Sequence, residues 1–376
     1  MSKLDRRKLL AAGGLGLTGL LGACSEAGTA TNNAENKLSS PTVHTKKSRK
    51  LRMVTSWPAQ FPGLGTTADT IAKTINELTE GSLNIKVYGA GELVPAHQEF
   101  DNVASGAADM YHAADYYWQG KSKGFAFFAA VPFGMTAMET LSWMQYGGGN
   151  ELWQNLSAQF NIIAMAAGST GSQMGGWFKK EINTMDDFRG LVMRIPGLGG
   201  DVIKAVGGVP KLLSGGAIYQ ALQSGAIDAT EWVGPWNDLA FGFYREAPYY
   251  YGPGFHEPGP ILSFGINLDV WNSFSPTEQL AVRTACAQAN ANTPAEYAWE
   301  NQRALKILVE QHGVKMRTFS DDIWKTLSAA AKDVLSDVGN ADAQTKTIYN
   351  SYMSALAGSK QMTKYGEGAY LRVREL

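Results

Sequence analysis

The stretch Asp228-Ala-Thr-Glu-Trp-Val-Gly-Pro235 follows a short predicted helix that ends in Ser224-Gly225-Ala226-x-Asp228. The same pattern, a helix-to-strand exit, occurs earlier in the chain as Ser105-Gly106-Ala107-x-Asp109, again after a predicted helix. Polar and aromatic residues come after both copies, namely Tyr116-Tyr117 and Glu231-Trp232. The repeated exit indicates two similar α/β halves, and open α/β sheets bind ligands beyond their strand ends. We therefore predict a ligand cleft between two halves that face each other.

The patterns on either side of this stretch predict an alternation of strands and helices, which is typical of mostly parallel sheets. The first half has predicted strands at residues 51–56, 83–88 and 108–113, with helices beginning at Thr66 or Thr67 and after Pro95. A second series begins with a predicted strand at residues 161–167, and a strand at 261–267 is expected to return to the first half. Long helical patterns follow at residues 276–311, 321–338 and 341–356, with a break or kink expected at Pro294.

Composition narrows the class of protein. The chain has 376 residues, of which 44% are hydrophobic and 18% charged, and this is ordinary for a globular protein of two domains. The net charge of −1 gives no indication of a nucleic acid partner.

The N-terminus predicts export from the cytoplasm. Arg6-Arg7-Lys8 precedes an apolar run at residues 9–23, which is short for a membrane span and typical of a signal peptide at residues 1–23. The adjacent arginines resemble a twin-arginine export signal. Leu21-Gly22-Ala23-Cys24 resembles a bacterial lipobox, which predicts a lipid anchor at Cys24; the alternative is a plain secretory signal with a chance cysteine. Residues 24–50 are rich in Ala, Asn, Ser and Thr, and they predict a tether.

Arg194 is the strongest candidate for binding an anion. It lies near the end of the apolar strand Leu191-Val-Met-Arg-Ile195. A charge in a strand covered by helices costs several kcal/mol unless an anion pairs with it. The planar guanidinium matches both oxygens of a carboxylate. Its partner is either a ligand carboxylate or an internal Asp or Glu, and the sequence leaves both open.

Three polar side chains are further candidates. Gln173, in a Gly-rich stretch, either contacts a ligand through its amide or lies in an ordinary turn. Glu231 pairs with Arg194, acts as a base, holds a hard cation through oxygen, or is a solvated surface acid. Glu257 is a second acid, and an exposed position in its loop is the favoured interpretation.

Tyr116 and Tyr117 offer hydroxyl groups and apolar faces to the cleft. If they lie in a strand, neighbouring side chains point to opposite sides, so one faces the cleft and the other the core. Catalytic motifs are missing from the sequence: the histidines lack metal-ligand spacing, and neither a Gly-x-Ser-x-Gly elbow nor a P-loop occurs.

Six stretches occur in a fixed order along the chain: Gly91-Glu-Leu-Val-Pro95, Tyr116-Tyr-Trp118, Val131-Pro-Phe133, Gln173-Met-Gly-Gly-Trp-Phe178, Met193-Arg194 and Asp228-Ala-Thr-Glu-Trp-Val-Gly-Pro235. Together they resemble the extracytoplasmic solute-binding subunits of TRAP transporters, the DctP type, and look closest to the branch that binds 2-oxo acids and related monocarboxylates. The resemblance runs from about residue 51 to near the C-terminus.

The resemblance implies an α/β, two-domain periplasmic-binding-protein-like fold with a central ligand cleft and C-terminal helices. The expected first domain comprises residues 51–170 and about 258–300, and the expected second domain residues 171–257 and about 301–340. Residues 341–376 are expected to form a C-terminal helical segment, through which the resemblance also implies a homodimer.

The resemblance also implies a role for each candidate side chain. Arg194 would clamp the carboxylate of the ligand, and a sodium or calcium ion, with no catalytic cofactor, would bridge ligand and protein. The implied ligand contacts are Arg194, Gln173, Tyr116, Tyr117, Trp232 and Glu257, and the implied cation ligands are Gln173, Glu231, the Trp232 carbonyl and Glu257. Phe255-His256-Glu257-Pro258 replaces a more aromatic run of the branch, so the identity of the ligand stays open.

The function implied is that of a periplasmic binding protein, not an enzyme. It would capture a 2-oxo or 2-hydroxy acid such as pyruvate or lactate and deliver it to the TRAP membrane permease. One alternative is an exported enzyme acting on the same acids, with Glu231 as base and Tyr116, Tyr117 or His256 handling a second proton. Another is a module that senses these ligands.

Overall fold

Strands and helices alternate along residues 48–376, the part of the chain that this computed structural model describes. The strands are β1 (Arg49–Thr55), β2 (Leu83–Tyr88), β3 (Met110–Ala113), β4 (Ile162–Ser169), β5 (Gly176–Phe178), β6 (Val192–Arg194), β7 (Val209–Lys211), β8 (Ala229–Thr230), β9 (Tyr249–Tyr251), β10 (Ile261–Asn267) and β11 (Lys315–Arg317). The predicted signal peptide, Cys24 and nearly all of the predicted tether lie outside the described residues.

Twelve α-helices connect and cover these strands within the described part of the chain. They are α1 (Leu64–Leu78), α2 (Glu99–Ala104), α3 (Ala137–Tyr146), α4 (Gly149–Ser157), α5 (Gly197–Ala205), α6 (Gly215–Ser224), α7 (Pro235–Phe241), α8 (Leu268–Asn272), α9 (Pro276–Glu310), α10 (Asp321–Gly339), α11 (Ala343–Thr363) and α12 (Glu367–Val373). Among residues 48–376, none of the helices combines the length and apolar character that a bilayer crossing requires.

The strands form two sheets with the same plan. The first has the order β2-β1-β3-β10-β4, and the second, read from its other edge, has the order β7-β6-β8-β5-β9-β11. In each sheet the first three strands are parallel, and the next strand (β10 or β5) runs antiparallel to both neighbours. The prediction of two similar α/β halves is confirmed, and so is the return of residues 261–267 to the first sheet.

The repeated exit has the same structural role in both sheets. In residues 105–109 and 224–228, the glycine has φ of +79° and +78°, a left-handed conformation that glycine adopts at little cost. The aspartate carboxylate of the first copy accepts a hydrogen bond from the Arg52 backbone N–H at 2.7 Å, and that of the second accepts one from Val192 at 3.0 Å. Each exit therefore ties the start of its third parallel strand to the central one.

Two sequence predictions about the first sheet are wrong. Residues 161–167 do not begin the second sheet, because β4 pairs with β10 at the edge of the first one. Helix α1 begins at Leu64, before the predicted Thr66 or Thr67. Thr66 nevertheless satisfies a backbone donor at this end, since its hydroxyl accepts from the Gly63 N–H at 3.0 Å.

Helix α9 continues through Pro294, so the predicted break is absent. Tertiary contacts secure this part of the helix against the end of β4. The Asn290 side chain accepts from the Gly168 N–H at 2.6 Å, and the Thr293 hydroxyl accepts from the Ser169 N–H at 2.8 Å. These contacts offset the loss of the backbone hydrogen bond that a proline removes from a helix interior.

Candidate ligand-binding site

The carboxyl ends of the parallel strands of both sheets meet at one place. Trp57 follows β1 in the first sheet, and Trp232 follows β8 in the second. Their rings lie 6.4 Å apart and nearly perpendicular. Ligands bind α/β sheets at this edge, so the residues that follow these strands are candidates for the site.

Arg194 ends β6 and is buried, with 1% of its surface exposed. Its guanidinium forms an ion pair with the Glu231 carboxylate and donates to the Glu231 carbonyl at 3.0 Å and to the Leu213 carbonyl at 3.2 Å. The strands bring the pair together, because β6 and β8 are parallel neighbours and the Glu231 N–H donates to the Arg194 carbonyl at 3.1 Å. The Trp232 ring covers the guanidinium, with 4.9 Å between Arg194 Cζ and the ring centroid.

This pairing narrows the alternatives that the sequence left open for both side chains. Arg194 has an internal acidic partner, so it is not a lone guanidinium, and Glu231 is buried rather than solvated. A cavity nevertheless lies beside the pair, and Arg194 forms part of its wall. The guanidinium therefore holds Glu231 and also faces the cavity.

Gln173 and Glu257 lie on the two segments that cross between the sheets. The segments are joined by backbone hydrogen bonds, including Gln173 N–H to the Glu257 carbonyl at 3.1 Å. The Gln173 amide also donates to the Glu257 carboxylate at 2.8 Å and to the Thr170 hydroxyl at 3.2 Å. Glu257 is only 3% exposed, so the favoured interpretation of an exposed loop acid is wrong. The crossing segment at Gln173 draws this loop inward.

Tyr116 and Tyr117 both line the cavity, which corrects the expectation that one of them faces the core. They lie in a 3₁₀ turn, Asp115–Trp118, and not in a strand. Successive side chains of a 3₁₀ helix are about 120° apart instead of 180°, so two neighbours can face the same space. Their rings lie 4.8 Å apart, and the Tyr117 ring also lies 4.3 Å from the tilted ring of His97.

The cavity has a volume of about 10 Å³, close to the space that one water molecule needs, so its lining side chains nearly fill it. Apolar side chains that the sequence analysis did not select complete its wall, among them Trp57, Leu64 and Leu262. The sequence could have identified Trp57 as a site residue, because Trp57 follows the first strand just as Glu231 follows β8. Leu64 and Leu262 resemble ordinary core residues in sequence.

Burial shapes the ionisation of the groups around the cavity. Burial raises the pKa of the Glu257 carboxyl well above its ordinary value, and the nearby Glu231 carboxylate raises it further. Burial also raises the pKa of Tyr117 to about 12 and lowers the pKa of His97 to about 4, where Arg194 adds to the effect. The tyrosine and the histidine are therefore neutral at pH 7, and the Glu257 carboxyl favours its protonated form unless a positive charge lies close to it.

The acids lie where one cation can reach both. One ligand atom from each of Glu231, His256 and Glu257 lies within 4.8 Å of the others, and all three residues are buried. The Gln173 side-chain oxygen is buried and has no hydrogen-bond partner among the described residues. Carboxylate and amide oxygens are the ligands that sodium and calcium prefer, so these residues fit a hard cation.

The structure thus brings together every side chain for which the sequence analysis predicted a binding role. Trp232, whose carbonyl is a predicted cation ligand, lies in the cavity wall beside Arg194 and Glu257. His256 also lies here, with its Nε2 3.2 Å from the Glu231 carboxylate. The sequence analysis named His256 only as a proton-handling group of the alternative enzyme, although its position next to Glu257 was an available signal for a place in the site. The groups of this site suit a small anion together with a cation.

Comparisons with known proteins identify the family of this chain. The profile of the family described as bacterial extracellular solute-binding protein, family 7 (DctP), matches residues 53–342. A monocarboxylate 2-oxoacid-binding periplasmic protein of Nostoc sp. is 41% identical over 324 residues, which cover 86% of this chain and 87% of that protein.

Two crystal structures of TRAP periplasmic solute-binding proteins have the same fold. The protein from Pseudoalteromonas atlantica, with bound sodium and pyruvate, is 38% identical with a TM-score of 0.84. The protein from Colwellia psychrerythraea, with bound calcium and pyruvate, is 36% identical with a TM-score of 0.84. Each match covers 87% of this chain and 99% of the other. The predicted fold class is confirmed, and the chain belongs to the DctP family of TRAP transporter solute-binding proteins.

Proposed function

We propose that this protein captures a small monocarboxylate, a 2-oxo or 2-hydroxy acid such as pyruvate or lactate, and delivers it to a TRAP membrane permease. The observation that carries the proposal is the gathering of Arg194, Glu231, Gln173 and Glu257 around one small cavity at the edges of both sheets. The ligands in the two related structures support the same chemical class.

In this proposal Arg194 pairs with the ligand carboxylate, and Tyr116, Tyr117 and Trp232 enclose the rest of the molecule. The guanidinium suits this task because its planar fork matches two carboxylate oxygens. The apolar wall, with Trp57 and Leu262, leaves little room for a second charged group. A monocarboxylate should therefore bind in preference to a dicarboxylate.

A sodium or calcium ion would bridge ligand and protein in the same site. Its proposed ligands are Gln173, Glu231, the Trp232 carbonyl and Glu257. The free side-chain oxygen of Gln173 and the two neighbouring carboxylates support this set. The ion would stabilise two acidic groups that are otherwise close together in a buried place.

Delivery would depend on opening and closing of two lobes. We propose that residues 51–170 with about 258–300 form one lobe, and residues 171–257 with about 301–340 the other, with the crossing segments as hinges. A homodimer through residues 341–376 is part of the proposal, and the exposed side chains of Tyr370 and Val373 on α12 support an apolar contact there.

Export would place the protein in the periplasm, where TRAP binding proteins act. The proposed route is the twin-arginine-type signal at residues 1–23, with a lipid anchor at Cys24. We propose no catalytic activity, because the relatives are described as solute-binding proteins.

A thermal-shift screen tests the proposed function. The unfolding temperature is measured with pyruvate, lactate, longer 2-oxo acids and dicarboxylates, each with sodium or with calcium. Binding to the native state should raise the temperature as ligand concentration rises, and monocarboxylates should do so most strongly. A screen in which no monocarboxylate stabilises the protein would reject the proposal. Recovery of the ligand unchanged after incubation separates a binding protein from an enzyme.

A further inference from the structure

Each sheet has one buried aspartate just behind the candidate site. Asp115 begins the 3₁₀ turn after β3, and Asp238 lies in α7, after β8, so both come after the third parallel strand of their sheets. They are 0% and 1% exposed. Neither belongs to the cavity wall that the described residues form. The two aspartates therefore occupy corresponding places, next to the site but outside it.

The Asp115 carboxylate joins the turn that carries the two cavity tyrosines to the protein core. Its Oδ1 accepts from Trp118 Nε1 at 3.1 Å and from the Tyr111 hydroxyl at 3.3 Å, and its Oδ2 accepts from Trp153 Nε1 at 2.7 Å. Trp118 ends the turn itself, whereas Tyr111 lies in β3 and Trp153 in α4. One side chain thus connects the turn to a strand and a helix, and it fixes where the turn lies relative to the sheet.

The Asp238 carboxylate has the same kinds of donors in the second sheet. Its Oδ2 accepts from the Tyr250 hydroxyl at 2.7 Å and from Trp177 Nε1 at 2.9 Å. Those two aromatic residues are paired between β9 and β5, and their rings stack at 4.0 Å. Its Oδ1 accepts from the Val233 N–H at 3.3 Å. Val233 lines the cavity directly after Trp232, so this bond connects the core of the second sheet to the cavity wall.

Both positions need the acceptor capacity of a carboxylate. An ionised carboxyl group has only acceptor sites, about four of them, whereas an indole N–H can only donate. An amide at either position would keep one acceptor oxygen and turn its NH₂ group toward an N–H donor. Burial raises the pKa of Asp115 to about 6, and the hydrogen bonds from its donors oppose a larger rise. The carboxylate form of Asp115 therefore predominates at pH 7.

We infer that Asp115 and Asp238 are positioning residues for ligand binding, each acting through the segment that it anchors. The first acts through Tyr116 and Tyr117, and the second acts through Val233. The inference rests on the proposed function, because these segments enclose the proposed monocarboxylate. The lining side chains nearly fill the cavity, which has a volume of about 10 Å³, so a small displacement of either segment changes the contacts that a ligand can make.

Calorimetric titration with pyruvate in the presence of calcium tests the inference on Asp115→Asn and Asp238→Asn. Asparagine has nearly the same size as aspartate, but at these positions it leaves at least one N–H donor without its acceptor. Each variant should bind pyruvate roughly twofold to thirtyfold more weakly than wild type, the range for residues that act on a site without touching its ligand.

Asp109→Ala is the matched control. It removes an aspartate that anchors the start of β3 to β1, outside the cavity wall that the described residues form. This variant should lose stability, yet its pyruvate affinity should stay within about twofold of that of wild type, because the effects of distant sites are independent.

Two milder variants keep the test decisive if an aspartate variant does not fold. Trp153→Phe removes one donor from Asp115, and Tyr250→Phe removes one donor from Asp238, while both keep an aromatic ring in the core. Neither aromatic residue belongs to the described cavity wall, so each can affect the ligand only through the segment that the aspartate anchors. Both variants should bind pyruvate more weakly than wild type while their thermal unfolding stays cooperative.

A double-mutant cycle separates positioning from general destabilisation. D115N and Y117A are measured singly and together, because Tyr117 is one of the groups through which Asp115 acts. Independent effects on the dissociation constant multiply in the double variant. Positioning instead predicts that D115N weakens pyruvate binding much less in the Y117A background than in wild type.

The outcomes for the inference and for the proposed function differ. Weaker binding in D115N and D238N, with a cycle whose effects do not multiply, would support the inference. Wild-type affinity in the folded variants, effects that multiply in the cycle, or an equal loss of affinity in D109A would overturn it while the proposed function stands. If wild type itself binds no monocarboxylate, the proposed function fails and the inference fails with it.

Discussion

At the level of single residues, the buried pair of Arg194 and Glu231 is the centre of the site. Removing one partner of such a pair leaves an uncompensated buried charge, at a cost of about 3–5 kcal/mol. The pair therefore constrains the fold, and in the proposed function Arg194 also contacts the ligand. A ligand carboxylate that approaches Arg194 joins an existing network and does not neutralise an isolated charge.

Glu99, at the start of α2, provides a pH prediction away from the proposed metal ligands. Its side chain is fully buried, and burial raises its pKa from an ordinary value of 4.5 to about 7. As pH rises between these values, the unfolded chain loses its proton before the folded chain does, so the free energy of unfolding falls; above about pH 7 the loss is complete. Glu99→Gln should remove this loss, which is about 3 kcal/mol at most.

Urea unfolding at about pH 5 and about pH 8 checks this prediction. The decrease in unfolding free energy between the two pH values should be smaller in E99Q than in wild type, and E151Q, at an exposed glutamate, should behave as wild type. Identical pH profiles for E99Q and wild type would show that Glu99 ionises without cost in the folded protein.

Sequence could predict some site residues better than others, for physical reasons. Arg194 and Glu231 follow from the rule that ligands bind at the carboxyl ends of parallel strands. Glu257 could not be placed in this way, because its burial depends on a crossing segment far away in sequence, at Gln173. His256 was named only for the alternative enzyme, because its partner Glu231 is also distant along the chain and the sequence does not show that the two side chains meet.

At the level of elements, the repeated helix-to-strand exit is the device that both sheets share. Its aspartates, Asp109 and Asp228, satisfy the backbone N–H groups of Arg52 and Val192. The same exit therefore identified the same position in each sheet, which explains why a short sequence repeat could predict the similarity of two larger units.

Replacement of either aspartate by alanine should destabilise the protein. D109A and D228A each leave a backbone donor without its partner, and the expected loss is about 1–3 kcal/mol of unfolding free energy. D322A, at an exposed aspartate, should change the stability by less than about 0.5 kcal/mol. Denaturant unfolding measures all three, and unchanged stability of D109A and D228A would remove the structural role of the exit.

Element types were easier to predict than element partners. The helical pattern at residues 276–311 gave the length of α9, but Pro294 suggested a break because the contacts of its neighbours with β4 cannot be read from sequence. The strand at residues 161–167 was also found, yet its sheet depends on β10, nearly a hundred residues later.

At the level of the whole molecule, aromatic contacts join the segment after β1 to α7 beside the site. Phe61, after β1, stacks on Phe241 of α7 at 4.3 Å. The Asn237 side-chain amide of α7 also donates to the Pro62 carbonyl at 2.8 Å. Both rings of the stack also contact Trp232 in the cavity wall, so we expect them to influence how fast a bound ligand leaves.

Phe241→Ala tests this role. An aromatic pair contributes about 0.5–1.5 kcal/mol beyond its buried area, so the dissociation rate of pyruvate should rise by roughly twofold to tenfold or more. The association rate should change less, because most effects of contact mutations appear in dissociation. Stopped-flow tryptophan fluorescence measures both rates, with Y365A at an exposed tyrosine as the control. An unchanged dissociation rate in F241A would show that the stack does not hold the closed form.

The most direct test of whether Arg194 binds a ligand carboxylate in this cavity is calorimetric titration with pyruvate in the presence of calcium. Wild type and R194K are compared. Lysine keeps the charge but lacks the planar fork, and R303K provides the matched control at an exposed arginine. Wild type and R303K should bind one pyruvate per chain, and R194K should lose about 2–5 kcal/mol of binding free energy. A folded R194K that binds pyruvate as tightly as wild type, or a wild type that binds no monocarboxylate, would contradict the proposed site.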